Sequence, residues 1–316
     1  MLPNSAARAI ASGQAVYTAN VGTIKGQGTF AARLIKGGTL ISVEMPIIAV
    51  DLDRHDWLCG LYREYLRIPA VARTQYNALR ADKTTLTEDL LAAYNSVDVI
   101  ELMLYGSHVK DKIPVLEVLT IWRTNSVLIK EGLGAVYPKF SRVNHCCAPN
   151  SRSYLDKESG AMRVISITDI RTGEEVTAAY KMPLFQPSSV RTAKIGLRCI
   201  CKVCSSPYLQ QSDQRRQHLD FWAKSILQHN MQMMSANEVL SYPAREPLVT
   251  AHRYVEGLRV EGLFTFLPEA YEWLAIWQYI AGYHDEAKTS IELSRAHWMK
   301  CMAGTPLSVT TESFKA

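Results

Sequence analysis

The run Ser141-Arg142-Val143-Asn144-His145-Cys146-Cys147-Ala148-Pro149-Asn150 constrains this chain more than any other stretch. It crowds polar side chains, thiols and a rigid Pro-Asn turn into a segment that no ordinary core strand or helix requires. Further on, Gly173-Glu174-Glu175-Val176-Thr177-Ala178-Ala179-Tyr180 ends a strand-like segment on a tyrosine, and Cys199-Ile200-Cys201-Lys202-Val203-Cys204 follows. An Asn-His pair alone is usually a hydrogen-bonded turn, and a tyrosine closing a strand is usually packing. The order of the three pieces is what points to a site.

A fourth piece stands near the start. Gly22-Thr23-Ile24-Lys25-Gly26-Gln27-Gly28-Thr29-Phe30-Ala31 precedes Ile35-Lys36-Gly37-Gly38-Thr39-Leu40-Ile41 and Glu44. A glycine-rich turn is commonly a hairpin, and glycine is also needed wherever a main chain must approach a ligand closely.

Taken in order, these pieces resemble the SET-domain family of lysine methyltransferases. Its patterns run close to G-K-G-x-G-x-x-A, then I-x-x-G-x-x-I, R-x-N-H-S-C-x-P-N and G-E-E-x-x-x-x-Y, with a cysteine-rich post-SET segment last. The resemblance covers residues 16–48 and 113–204 and is of the SET-and-MYND-like fungal type. The zinc-binding MYND finger of that type cannot be built here, because Cys59 is the only cysteine between residues 32 and 145.

The resemblance implies an α+β fold: a SET-domain β fold of short sheets with a helical insertion, a post-SET zinc loop and an all-α C-terminal domain. It implies methyl transfer from S-adenosylmethionine to a protein lysine, histone or non-histone. Carried over residue by residue, Lys25, Gly26, Gln27 and Gly28 lay backbone against the cofactor. Asn144 and His145 hold its amino-acid and adenine portions, Asn125 is a further contact, and Tyr180 takes the catalytic position. Ile195 and Leu197 stand where the family commonly has aromatics lining the lysine channel and the adenine pocket. The structural zinc ligands implied are Cys147, Cys199, Cys201 and Cys204. Cys146 takes the family's serine position beside them and is a competing thiol for the metal, although adjacent residues point in different directions. The lost aromatics and finger keep a second reading open: a SET fold without protein methylation, acting as a cofactor-binding scaffold or on a small molecule.

At 316 residues the chain can bury a core in one large domain or two modest ones. The net charge of +5 is spread without a dense Lys/Arg cluster, so no nucleic-acid arm is expected. No segment approaches the roughly eighteen apolar residues of a membrane span, so no membrane partner is expected either, and a monomer is the default expectation. Residues 1–15 lack the apolar run of a secretory signal, which makes cytoplasm or nucleus the expectation and the seven cysteines thiols or metal ligands rather than disulfides. Cys59 and Cys301 stand alone in segments of helical periodicity and read as small buried residues.

Short β-branched segments at 16–17, 28–32, 39–43 and 47–50 open the chain. Helical periodicity follows at 56–66, 71–79 and 90–104, and Val115, Leu119 and Trp122 share a face, so an insertion over about 51–120 splits the β part. Segments 153–155 and 162–167 flank a turn at 156–160 and read as a hairpin. Domain limits of 1–206 and 207–316 are expected, with the zinc segment at about 195–206. In the second domain Ala270, Trp273, Leu274, Trp277 and Ala281 form one stripe and Ala287, Ile291, Trp298 and Met302 another, joined at Gly282-Tyr283-His284. That joint resembles the helix-turn-helix joint of a tetratricopeptide repeat, one partial unit, and the plainer reading is a helical cap on the SET core.

Overall fold

The computed structural model describes residues 4–22, 26–95, 112–180, 183–196, 198–235 and 243–302. Helix α1 (Asn4–Ala11) leads into strands β1 (Val16–Asn20), β2 (Gln27–Ala31), β3 (Leu40–Glu44) and β4 (Ile48–Asp51). In β4 buried and exposed residues alternate, as a half-buried strand requires.

The insertion follows as α2 (Trp57–Arg67), α3 (Ala70–Asn77), α4 (Glu88–Asn95) and α5 (Val115–Asn125). Pro69 and Pro114 stand just before α3 and α5, where a missing N–H costs no intrahelical bond. Of the helix expected over 90–104, residues 96–104 lie outside the described residues. Strands β5 (Ser126–Lys130) and β6 (Leu133–Val136) join β4 in the sheet order β4-β6-β5. Leu61, Tyr65, Tyr76, Leu119 and Trp122 pack with Ile48, Val50 and Val136, so the insertion's helices are fixed to this sheet. Burial of each such side chain is worth about 1.5–3 kcal/mol. Cys59, expected to be buried, is only half-buried and packs against the edge of the same cluster.

Strands β7 (Asn144–His145), β8 (Ser151–Leu155), β9 (Met162–Ser166) and β10 (Glu175–Ala178) complete the β part. The hairpin expected around residues 156–160 is β8-β9, and its ladder begins earlier than the periodicity suggested because Ser151 pairs with Ser166. Strand β10 is the organising element. On one edge it pairs antiparallel with β2, with Val176 opposite Thr29, and on the other it pairs parallel with β7, with Thr177 opposite Asn144 and Ala178 opposite His145.

Beyond it lie α6 (Ser188–Ile195), α7 (Leu209–Met234), α8 (Arg245–Glu261), α9 (Leu267–Ile280) and α10 (His284–Met302). Leu219, Leu258, Ala270, Leu274 and Trp277 form the common core of α7, α8 and α9. The stripe expected on α10 is rotated: the buried residues are Ala287, Ser290, Ser294 and Cys301, while Ile291, Trp298 and Met302 are only half-buried. Apolar counting missed this face because its serines are satisfied. Ser290 donates to Gln278 at 2.7 Å and Ser294 to Glu272 at 3.1 Å, which removes the cost of burying a hydroxyl. Among the described residues no helix is long and apolar enough to cross a membrane.

Candidate functional site

The glycine turn after β1 is closed by its own backbone. Val21 N–H donates to Gly26 O and Gly26 N–H to Gly22 O, both at 2.8 Å, with Gly26 at φ 69°, a left-handed value that favours glycine. Gly28 serves a different need. A Cβ there would lie 2.8 Å from Glu175 Oε1 and 3.1 Å from Asn144 Nδ2, so its bare backbone is what lets β2 close on β10 and β7.

Asn144 is buried and its Nδ2 donates to Glu175 Oε1 at 2.8 Å and to Gln27 O at 3.2 Å. The carboxylate and the glycine-turn carbonyl thus fix the amide's orientation. His145, also buried, accepts the Tyr180 N–H on Nδ1 at 3.1 Å, and its Nε2 lies 3.3 Å from Cys147 Sγ. The Tyr180 hydroxyl donates to Val143 O at 3.1 Å, and its ring centroid is 5.4 Å from that of His145. Burial, with help from the Glu175 charge, pushes the Tyr180 hydroxyl up to about 12, so it remains a neutral phenol at ordinary pH. Asn150 clamps the arrangement from behind: its Nδ2 donates to Glu175 O at 2.8 Å and its Oδ1 accepts from Thr177 N–H at 2.9 Å.

A cavity of about 520 Å³ opens onto these groups, within the size range of small-molecule sites. Gly26, Gln27, Asn144, His145 and Tyr180 line it together, so motifs far apart in sequence meet on one wall. Ile195 and Asn125 border it as well. The Asn125 amide is committed to backbone, donating to Arg80 O at 2.8 Å and Ile121 O at 2.7 Å, and therefore holds the insertion's loop against the cavity. Lys25 and Leu197 lie outside the described residues. Residue order gave no sign of the wall made by Ala78, Leu79, Arg80 and Asp82, which has no motif and reaches the site only through the packing of α3 and α5.

The sulfurs of Cys147, Cys199, Cys201 and Cys204 all lie within 4.8 Å of one another. Cys147 Sγ is 3.9 Å from Cys199 Sγ and 3.6 Å from Cys204 Sγ, and every cysteine is a free thiol. A tetrahedron with Zn–S of about 2.3 Å has edges of about 3.8 Å, so this donor set fits a structural zinc. Cys146 is buried alongside, but its thiol is turned back on its own turn, 3.2 Å from Ala148 O, and it is not part of the set.

Residues 26–181 match the SET domain family. The fold is a SET-domain fold. Its α+β character comes from the short sheets around β10 together with the helical regions. Histone-lysine N-methyltransferase set5 of Schizosaccharomyces pombe is 28% identical over 110 residues, covering 33% of this chain and 34% of that protein. The chain thus matches about a third of that relative's length. Two solved structures also align, the SET domain of LSMT bound to lysine and AdoHcy and Rubisco LSMT bound to sinefungin and monomethyllysine. Each has a TM-score of 0.37, at 12% and 10% identity, covering 96% and 99% of this chain and 88% and 93% of theirs. Within the SET domain, β10 is the strand whose two edges gather the glycine turn and the Asn144-His145 pair beside Tyr180.

Proposed function

We propose that this protein is an S-adenosylmethionine-dependent protein-lysine N-methyltransferase, using a structural zinc held by Cys147, Cys199, Cys201 and Cys204. The observation that carries the reading is the convergence of Gly26, Gln27, Asn144, His145 and Tyr180 on one cavity inside the residues that match the SET domain family. The partial match to a histone-lysine methyltransferase supports a lysine acceptor.

S-adenosylmethionine supplies an electrophilic methyl group on a sulfonium, so that an amine nitrogen gains the N–C bond as the S–C bond breaks. The chain's task is placement, which can lower such a barrier by about 7–11 kcal/mol. Gly28 leaves room for Glu175 and Asn144 against β2, and Asn144, locked by Glu175 and Gln27, presents a fixed amide edge. Tyr180 gives its own proton to Val143 O, which leaves its oxygen as an acceptor for an amine N–H and so aims the nitrogen lone pair. As a neutral phenol Tyr180 is not the base; the lysine, with a reference pKa of about 10.4, gives up its proton to solvent before transfer.

Purified protein given methyl-labelled S-adenosylmethionine and a mixed cell lysate is expected to label protein at lysine. Micromolar cofactor binding with no labelled protein, beside a positive control that labels, would sink the methyltransferase reading and leave the scaffold reading standing.

A further inference from the structure

Two arginines outside every motif of the site are fully buried beside the cysteine cluster. Arg191 on α6 and Arg216 on α7 are each 0% exposed. Arg191 Nη2 donates toward Cys204 Sγ at 3.6 Å, while its Nη1 donates to Gln186 O at 2.6 Å and Asp213 Oδ1 at 3.1 Å. Asp213 in turn accepts from the Ser188 N–H at 2.9 Å, at the start of α6. Arg216 spends all its edges: Nε on Glu261 Oε2 at 2.9 Å, Nη1 on Leu184 O at 2.8 Å and Nη2 on Cys147 O at 3.0 Å.

Burying a guanidinium costs several kcal/mol, by order of magnitude, unless charge and hydrogen bonds compensate it. Each arginine has one carboxylate partner, and each aims a remaining arm at the cysteine cluster. Four thiolates around Zn²⁺ carry a net charge of about −2. Asp213 and Glu261 already offset the two guanidinium charges, so what the arginines offer the centre is directed N–H donors, to Cys204 Sγ and to Cys147 O. Groups that donate to metal ligands and hold their backbone orient the ligands and tune their basicity.

We infer that Arg191 and Arg216 are positioning residues of the metal centre, through which helices α6 and α7 hold Cys199, itself a cavity-lining residue, and the other three cysteines in place. Arg191 donates to the sulfur of Cys204 and fixes its direction. Arg216 fixes the backbone of Cys147, the ligand that adjoins Asn144 and His145, and ties it to Glu261 at the end of α8. The inference rests on reading the four cysteines as a zinc site.

The test uses the full chain. Zinc release to a chromogenic chelator is timed at constant pH for Arg191→Met and for Arg216→Met combined with Glu261→Gln, which avoids stranding a buried carboxylate. Arg215→Ala is the control, since Arg215 shares Glu261 but is partly exposed and donates to no part of the cluster. Release at least about tenfold faster in the first two, with native helical circular dichroism and a native rate in the control, is expected from the usual weight of such outer groups. In cobalt-substituted protein, Arg191→Met should also shift the thiolate-to-cobalt charge-transfer band, which a merely structural role would leave in place. If either methionine variant fails to fold, Arg191→Lys and Arg216→Lys keep the charge without the forked geometry and should release zinc at intermediate rates. Stoichiometric zinc in the native protein with native release in all folded variants would overturn this inference alone. Native protein without zinc would overturn the metal reading and this one together.

Discussion

The Tyr180 N–H donates to His145 Nδ1 at 3.1 Å, and this bond decides what the other side of the imidazole can do. With Nδ1 accepting, the neutral ring carries its proton on Nε2, which faces Cys147 Sγ at 3.3 Å. One buried side chain therefore links the end of the strand bearing Tyr180 to the candidate metal centre.

His145→Leu removes both bonds and leaves the Tyr180 N–H without its acceptor, a change that costs about 1–3 kcal/mol when the donor is buried. Urea unfolding should register that loss, and zinc release should quicken in the same variant. A native midpoint together with native zinc retention would mean that the imidazole is only packing.

Tyr180→Phe removes the hydroxyl while leaving ring packing in place. Turnover should fall by about a hundredfold, the scale of one lost transition-state contact, while calorimetric affinity for S-adenosylmethionine stays within a few-fold. Equal losses in both would contradict the assignment of Tyr180 to the acceptor side.

The pH profile follows from the same group. A tyrosine whose folded pKa is raised keeps its proton above the unfolded value of about 10, so its contribution to stability is complete below that pH and is lost as pH climbs toward about 12. Turnover should rise with pH as the acceptor amine deprotonates, with no inflection from Tyr180 near pH 10. A downturn there that disappears in Tyr180→Phe would show that the hydroxyl titrates normally.

Gly28→Ala places a methyl 2.8 Å from Glu175 Oε1 and 3.1 Å from Asn144 Nδ2. Overpacking of this kind costs about 1–3 kcal/mol, and here it would displace the amide that faces the cavity. Cofactor affinity should drop by about tenfold or more, because 1.4 kcal/mol is a factor of ten. Unchanged affinity measured by calorimetry would remove Asn144 from the binding surface.

Cys201→Ser should lower zinc from about one per chain to well below that in elemental analysis, since three thiolates hold the ion less tightly than four. Protease cutting near residues 195–205 should speed up as that region loosens. Full zinc content in this variant would exclude Cys201 as a ligand.

The glycine turn, the Asn144-His145 pair, Tyr180 and the cysteine spacing have signatures along the chain because each is local: a tight turn, a polar turn, a strand end, closely spaced thiols. The β8-β9 hairpin and the buried face of α5 were also readable, since turn residues and apolar period are local signals. Other features came only from three-dimensional pairing. Strand β7 has just two residues and pairs in parallel with a strand distant in sequence, so neither its existence nor its register has a local signature. The cavity wall from the insertion, the serine-lined face of α10 and the burial of Arg191 and Arg216 depend on which hydrogen-bond and charge partners arrive from elsewhere. Polar residues go inside only when such partners are present, and where those partners lie is settled by packing, not by residue order.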